Sequence, residues 1–208
     1  MNRNDVIRAL MSFLRSIFVI YRNEKEFRDD LSIYFQKLGY LVHTEYFIPA
    51  NSVGNTIQSE MYIDLVLEKN GDFFPIELKY KTNQLSVSQG LTILNKTNPS
   101  IQLRKDGANN DNCFLIWKDM QRIEMLASSF STIPGCIVVL TNDHLYWDGP
   151  TDKNVAYAPL SIADNKTMPA YPSQQSFPYK GESLILQNSY QVKWRNTARE
   201  DFRFLVLG

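Results

Sequence analysis

Apolar residues recur at steps of three and four along the first part of the chain, the period of one helical face. This spacing predicts a helix from Asn4 to Tyr21. A second helix is predicted from Glu24 to about Lys37. Asn23 can cap its first turn, Glu26 can complete a capping box, and Gly39 can end the helix. The chain is therefore expected to begin with two successive helices.

Runs with the composition of strands follow the two helices. One strand is predicted from Tyr40 to Phe47, and two more are predicted at Tyr62–Glu68 and Asp72–Lys81. The dipeptide Asn70-Gly71 between the last two is typical of a two-residue hairpin turn. Residues 51–59 are polar and contain a glycine, so they are interpreted as a loop.

The second half of the chain alternates between clear and unclear patterns. Residues 82–107 are polar and give no firm prediction. A helix capped by Asn110 or Asp111 is predicted up to Phe130, and the β-branched run Cys136–Leu140 is typical of a strand buried on both faces. Residues 146–183 are predicted to be irregular. Short strands are expected near the C-terminus: Leu184–Gln187, Tyr190–Trp194 and Phe202–Leu207.

This order of elements predicts an α/β fold in three layers, a mixed central sheet flanked by helices. The chain has 208 residues, of which 44% are hydrophobic, enough for one substantial core. We expect residues 23–208 to form that domain. Residues 1–22 are interpreted as an N-terminal helix that either packs on the core or forms a dimer face.

The charge and the cysteine content bear on where the protein is located and on which partners it can bind. Arginines interrupt the apolar N-terminal segment, so neither a signal peptide nor a membrane span is expected. Cys113 and Cys136 show no metal-binding spacing and are interpreted as free thiols in a cytoplasmic protein. The 22 basic and 22 acidic residues leave a net charge of zero. Binding to nucleic acid would therefore require a local basic face.

The predicted hairpin brings two carboxylates together. Counting outward from the Asn70-Gly71 turn sets Asp64 opposite Glu77 in a non-hydrogen-bonded pair, whose Cα atoms lie about 4.5 Å apart. Lys79 projects from the same face as Glu77, because side chains alternate along a strand. Facing like charges destabilise a sheet unless something neutralises them. The three side chains are therefore a candidate site.

Hard divalent cations suit this set of side chains. Mg²⁺ is held by one or two carboxylates together with water and substrate phosphate, and Mn²⁺ can replace it. We predict that Asp64 and Glu77 bind the metal, with the backbone carbonyl of Leu78 as a further ligand, and that Lys79 positions or activates water. A solvated charge cluster on an exposed hairpin is the alternative. The apolar residues around the three favour a site.

The sequence resembles the PD-(D/E)xK nuclease superfamily, the fold of restriction endonucleases and many repair nucleases. Asp64 followed by Glu77-Leu78-Lys79 on the next strand carries the resemblance, together with the order of helices and strands. Ile63 stands where the name of the motif places a proline. Over about residues 24–208, four segments look like an uncharacterised bacterial group within it: Ile63–Val66, Pro75–Thr82, Trp117–Glu124, and Leu140–Asp143 with Tyr146-Trp147.

The resemblance implies a restriction-endonuclease-like fold and a metal-dependent endonuclease that hydrolyses DNA phosphodiester bonds. It also implies a further acid on the first core helix. Glu24 matches that position better than Glu26, which already has a capping role. Nucleases of this fold commonly act as homodimers. Two alternatives remain: a catalytically silent nucleic-acid-binding or regulatory module on the same fold, and a structural protein in which the triad is only a salt-bridge cluster.

Other charged residues can be interpreted either as functional groups or as ordinary surface residues. Asp119, Arg122 and Glu124 are either a functional cluster or surface pairs along a helix, and surface pairing is favoured.

A second polar group follows the candidate triad along the chain. Lys81 is either a phosphate contact or a solvated strand-end lysine, and the solvated role is favoured. Gln102, Arg104 and Lys105 either lie near the metal or form a plain polar loop, and the loop is favoured.

Overall fold

The computed structural model describes residues 1–49, 60–87, 92–93, 96–97, 101–107, 109–130, 132–176 and 183–208. The loop predicted at residues 51–59 lies outside these ranges. The described α-helices are α1 Arg3–Ser16, α2 Glu24–Lys37, α3 Asn109–Phe130 and α4 Leu145–Asp148. None of the helices in these ranges is long and apolar enough to cross a membrane.

The described strands form one large sheet and several two-stranded ones. In chain order they are β1 Leu41–Pro49, β2 Glu60–Lys69, β3 Asp72–Lys81, β4 Leu85–Val87, β5 Thr92–Ile93, β6 Lys96–Thr97, β7 Ile101–Leu103, β8 Cys136–Thr141, β9 Thr167–Met168, β10 Tyr171–Ser176, β11 Ser183–Leu186, β12 Tyr190–Gln191, β13 Arg195–Asn196 and β14 Arg203–Leu207. The large sheet has the order β1-β2-β3-β8-β14-β13. Its β3 and β8 pair in parallel and its other neighbours are antiparallel, so the predicted mixed α/β sheet is confirmed.

Two hydrophobic cores lie on opposite faces of this sheet. Buried side chains of α1 and α2 share one core with Leu78 of β3 and with Val138 of β8. Alternate residues of β8, Ile137 and Val139, belong to the other core together with α3. All six residues of β8 are buried, as predicted for a strand covered on both sides. The N-terminal helix thus packs on the first core.

The first helix ends five residues earlier than predicted. It stops at Ser16, whose hydroxyl donates a hydrogen bond to the Phe13 carbonyl at 2.8 Å, and Ile17 has an extended backbone. A serine bonded to its own helix in this way competes with continued helical bonding. Ile20 and Tyr21 are nevertheless buried, so their apolar spacing reflects core contact in a non-helical segment.

The second helix has the predicted bounds. The Asn23 side chain accepts a hydrogen bond from the Glu26 N–H at 2.9 Å, as expected of a cap. The Glu26 carboxylate accepts from the backbone N–H of Arg22 rather than from that of Asn23. Gly39 follows the helix with φ of 78°, a left-handed conformation that glycine adopts without strain.

The predicted hairpin is confirmed from its turn to the pair Leu65–Ile76, but the ladder ends there, so the predicted strand pair of Asp64 with Glu77 is not formed. Asn70 and Gly71 both have positive φ, 58° and 78°, as a two-residue type I′ turn requires. The register runs as predicted to the pair Leu65–Ile76, and Pro75 faces Val66. Pro75 costs the ladder no hydrogen bond, because this pair is of the non-hydrogen-bonded type.

The two segments without a clear sequence pattern contain short elements. Residues 82–107 include β4 and β7, which pair with each other, and the small pair β5 and β6. The tail predicted to be irregular holds α4, a 3₁₀ helix at Ala158–Leu160 and strands β9 and β10. Side chains bond this tail to the core: the indole N–H of Trp117 donates to the Leu160 carbonyl at 2.7 Å. Such contacts join residues that are distant in sequence, so no local sequence pattern predicts them.

Both cysteines are expected to resist thiol reagents in the folded protein. Cys113 and Cys136 are buried, and burial raises the pKa of each thiol to about 12. The reactive species is the thiolate. We therefore expect no labelling by a disulfide reagent at mildly alkaline pH, and two equivalents after unfolding in guanidinium chloride. Fast labelling of the native protein would contradict this packing of α3 and β8.

Candidate active site

The site lies where strands β2 and β3 stop pairing with each other. The last pair of their ladder is Leu65–Ile76, and beyond it β2 continues with β1 alone. Three backbone N–H groups on this edge of β3 donate instead to carboxylates: Leu78 to Asp64 at 2.7 Å, Tyr80 to Glu24 at 2.8 Å and Thr82 to Asp106 at 3.1 Å. The acids from β2 and α2 thus occupy the gap between the strands.

A change of side-chain direction in β2 accompanies this gap. Ile63 lies in a small core with Leu126 of α3, whereas Leu65 lies in the core of α1 and α2, although both have the same parity along the strand. The regular alternation is therefore interrupted at Asp64. The pairing of β1 and β2 omits Glu45 and Asp64, and the φ of Glu45, 49°, is rare for a residue other than glycine. Both strands are distorted at the candidate site.

Glu77 is the most deeply buried acid of the site. Its side chain is 2% exposed, and an Arg122 guanidinium nitrogen lies 2.6 Å from its carboxylate. Burial raises the pKa of Glu77 well above its usual range. Arg122 opposes this shift, while Asp119 and a hydrogen bond with the carboxyl group of Asp64 add to it. The predicted proximity of Asp64 and Glu77 is therefore present.

Lys79 is held by an acid from the covering helix. Its ammonium lies 2.7 Å from Asp119 of α3, and the other oxygen of Asp119 lies 2.7 Å from Arg122. Burial alone would lower the pKa of Lys79, but Asp119, Glu77 and Glu24 together raise it. The lysine is therefore cationic at neutral pH.

The preference for a surface pair on α3 was wrong. Asp119 is 6% exposed and bridges Lys79 to Arg122, which in turn binds Glu77. Both residues belong to the site. Glu124 does not, because its carboxylate accepts hydrogen bonds from the backbone N–H groups of Gln187 and Asn188. That residue secures the C-terminal segment to α3.

Of the two candidate acids on the second helix, the structure brings Glu24 to the site. Its carboxylate accepts the Tyr80 N–H, and burial raises its pKa although Tyr80 and Lys79 act in the opposite direction. Glu26 points to Arg22, 2.6 Å away. The interpretation that placed Glu24 ahead of Glu26 agrees with this geometry.

Arg28 is a site residue that the sequence interpretation missed. It lies one turn after Glu24 on α2, and its guanidinium is 3.0 Å from Glu45 and 3.8 Å from Asp64. The side chain is only 12% exposed, and its Nε is buried with no hydrogen-bond partner among the described residues. The i, i+4 spacing from Glu24 could have suggested it, since such residues share a helical face.

Acidic side chains outnumber basic ones at the site. The acids are Glu24, Asp64, Glu77 and Asp119, with the more exposed Glu45 beside them. The cations are Arg28, Lys79 and Arg122. The surplus of carboxylates is of the sign that a bound cation would neutralise.

A cleft of about 490 Å³ opens beside Glu24 at the C-terminal end of β3. Lys81 lines it together with its neighbours Tyr80 and Thr82, and so do Gln102 and Arg104. The structure thus brings together two groups that the sequence left separate, Lys81 and the polar segment after β6. Lys105 is exposed and does not line the cleft.

No model of a known protein family matches the chain, and neither the curated proteins nor the solved structures gave a match. The resemblance to PD-(D/E)xK nucleases therefore stays a prediction from the sequence.

The donor set suits a hard divalent cation. No group of three or more His, Cys, Asp and Glu side chains is arranged to hold a metal among the residues that the structure describes. Mg²⁺, however, needs only one or two protein carboxylates, because water and substrate supply the remaining oxygens. Asp64 and Glu77 lie together as that requires, and the Leu78 backbone stands beside them at the ladder edge. Arg122 occupies one oxygen of Glu77, so a cation bound there would compete with the guanidinium.

Proposed function

We propose that this protein is a metal-dependent endonuclease that hydrolyses DNA phosphodiester bonds. The observation that carries the proposal is the convergence of Glu24, Asp64, Glu77 and Lys79 from α2, β2 and β3 at the point where the hairpin strands part. A mixed six-stranded sheet with helices on both faces is compatible with a restriction-endonuclease-like fold. Membership of the PD-(D/E)xK superfamily is part of the proposal.

Asp64 and Glu77, with the Leu78 carbonyl, are the proposed ligands of Mg²⁺ or Mn²⁺. When bound, such an ion polarises the phosphoryl group and lowers the pKa of water. The depth of Glu77 strengthens electrostatic interactions at this point, since the surroundings have a low dielectric constant.

Lys79 is assigned to orienting water and offsetting charge on the reacting phosphate. Asp119 and the neighbouring carboxylates raise its pKa, so it lacks a free lone pair with which to deprotonate water. Asp119 fixes the ammonium position at 2.7 Å. Glu24, whose pKa is raised by burial, is the proposed proton acceptor or water-holding group.

A catalytically silent binding or regulatory module is the second candidate. It is favoured by the ion pairs that fill the site, Arg122 with Glu77 and Asp119 with Lys79, and by the net charge of zero. A structural role would require the same pairs to act only as cross-links between α3 and the sheet. Activity and metal response separate the three possibilities.

The test is a cleavage assay on plasmid and on labelled single- and double-stranded oligonucleotides, with Mg²⁺, Mn²⁺ or chelator. We expect metal-dependent cleavage by the wild type and none above background by Asp64→Asn or Glu77→Gln. Glu68→Gln, on the same strand as Asp64 and paired with His43 at 2.9 Å, is the matched control and is expected to cleave normally. Cleavage that persists in Asp64→Asn would refute the proposed site.

Metal response is expected to increase when Arg122 is removed. Arg122→Met deletes the cation that holds Glu77, so a divalent ion no longer competes with it. Without metal we expect the variant to lose about 3 kcal/mol of stability, the lower end for a broken buried pair, because Arg122 is 27% exposed. With saturating Mn²⁺ the rise in melting temperature is expected to exceed that of the wild type. A smaller rise would show that Arg122 does not compete with the ion.

A further inference from the structure

The cleft beside Glu24 has walls that hydrogen bonds fix to strand β3. On one side, the Tyr80 hydroxyl donates to the Tyr21 carbonyl at 2.7 Å, and the Glu24 carboxylate accepts the Tyr80 N–H at 2.8 Å. These bonds hold the start of α2 against the strand. The residues of this wall are therefore positioned before any ligand arrives.

The opposite wall is fixed in the same way through Thr82. Its hydroxyl donates to the Arg104 carbonyl at 2.7 Å, and its carbonyl accepts from the Asp106 N–H at 2.7 Å. The Asp106 carboxylate accepts the Thr82 N–H in return at 3.1 Å. This arrangement sets Arg104 beside the end of β3, next to Lys81. A preorganised site of this kind binds a ligand with less loss of conformational freedom.

The charges that face this cleft suit an anion. Neither Lys81 nor Arg104 forms an ion pair with any residue in the described ranges. The two acids of the cleft, Glu24 and Asp106, are engaged with backbone N–H groups. Arg22 also lines the cleft but is already paired with an acid of α2. Lys81 and the exposed Arg104 are therefore the two cations left for an incoming negative group.

The position of Lys81 relates the cleft to the candidate active site. It lies two residues beyond Lys79 on β3, so their Cα atoms are about 7 Å apart. This separation is comparable with that of consecutive phosphates along an extended nucleic-acid strand. Glu24 borders both regions, through its bond to Tyr80 and its charge interaction with Asp64.

We infer that Lys81 and Arg104 bind the phosphate next to the scissile one, so that the strand passes from the cleft across Glu24 to Asp64 and Glu77. The inference rests on the proposed nuclease function and specifies how the substrate is held. A chain with no net charge gains its affinity for nucleic acid here through a local pair of cations. The larger cleft of about 570 Å³ offers no equivalent, because its cation, Arg3, already donates to the Pro134 carbonyl at 3.0 Å.

Binding without cleavage tests the inference. Fluorescence anisotropy with a labelled single-stranded oligonucleotide is measured in chelator, for the wild type and for Lys81→Met combined with Arg104→Gln. The control is Lys153→Met combined with Arg195→Gln, which removes the same charge from exposed positions outside the cleft. Melting temperatures verify that each variant is folded, and Lys81→Arg is expected to retain binding.

We expect the cleft variant to bind at least about tenfold more weakly and the control to bind as the wild type does. The slope of log affinity against log salt is expected to become shallower by about 0.7 for each phosphate that the variant no longer neutralises. Unchanged affinity and slope in the cleft variant would overturn the inference. Absence of any oligonucleotide binding by the wild type would also overturn it, since the cleft would then hold no nucleic-acid strand.

The outcome is distinguishable from failure of the nuclease proposal. If the wild type does not cleave, and the cleft variant loses oligonucleotide binding, phosphate binding in the cleft is supported and the proposed catalysis is refuted. If the wild type cleaves and the cleft variant binds and cleaves equally well, only the role of Lys81 and Arg104 is refuted.

Discussion

Replacing Lys79 with methionine is expected to slow DNA cleavage by about 10²–10³-fold, the usual effect of removing one charged group that stabilises a transition state. The fold should persist, because Asp119 keeps its contact with Arg122 at 2.7 Å. Metal binding should persist as well, since Asp64 and Glu77 are unchanged.

Single-turnover cleavage at saturating Mn²⁺ measures this reduction in rate, and the metal-induced rise in melting temperature measures binding separately. Lys193→Met, at an exposed position, is the matched control. Lys79→Arg should recover part of the rate, because it restores the positive charge beside Asp119. A Lys79→Met variant that cleaves at nearly the wild-type rate would remove the lysine from the mechanism.

Replacing Gly135 with alanine is expected to destabilise the fold by about 3 kcal/mol. A Cβ atom built at this glycine would lie 2.1 Å from the Pro75 carbonyl oxygen and 2.7 Å from its Cγ. The neighbouring chain cannot easily move, because the Ile133 N–H donates to the Phe73 carbonyl at 3.1 Å and β8 begins at Cys136. The added methyl group would therefore meet atoms that the sheet holds in place.

Urea denaturation measures the change, with Gly107→Ala as the control. A Cβ at Gly107 would meet nothing within 4 Å, and its φ is outside the left-handed range. That variant is expected to remain within about 0.5 kcal/mol of the wild type. Equal stability of the two variants would show that the space between residue 135 and Pro75 is larger than these distances indicate.

Local signals predicted the hairpin with its register. The Asn70-Gly71 turn fixes the pairing, and counting outward brings Asp64 towards Glu77 without any knowledge of the remaining chain. The bounds of the second helix followed from its cap for the same reason. Turn and cap chemistry act over a few residues, so they are visible in the sequence.

The environment of the candidate triad could not be predicted in this way. Asp119 and Arg122 lie among apolar residues of α3, and only the rotation of that helix against β3 decides whether they face the sheet or the solvent. The charge of Lys79 depends on that choice. Arg28 and the cleft at Arg104 likewise depend on contacts between elements far apart in the chain.

The carboxylates of Asp64 and Glu24 serve the backbone as well as the site, because they accept the N–H groups of Leu78 and Tyr80 where β2 leaves the ladder. A buried N–H without an acceptor costs about 1–3 kcal/mol, so folding by itself demands an oxygen at both positions. An amide oxygen meets that demand as well as a carboxylate oxygen does. A descendant freed from catalysis could therefore exchange these acids for Asn or Gln, but not for alanine, and still fold.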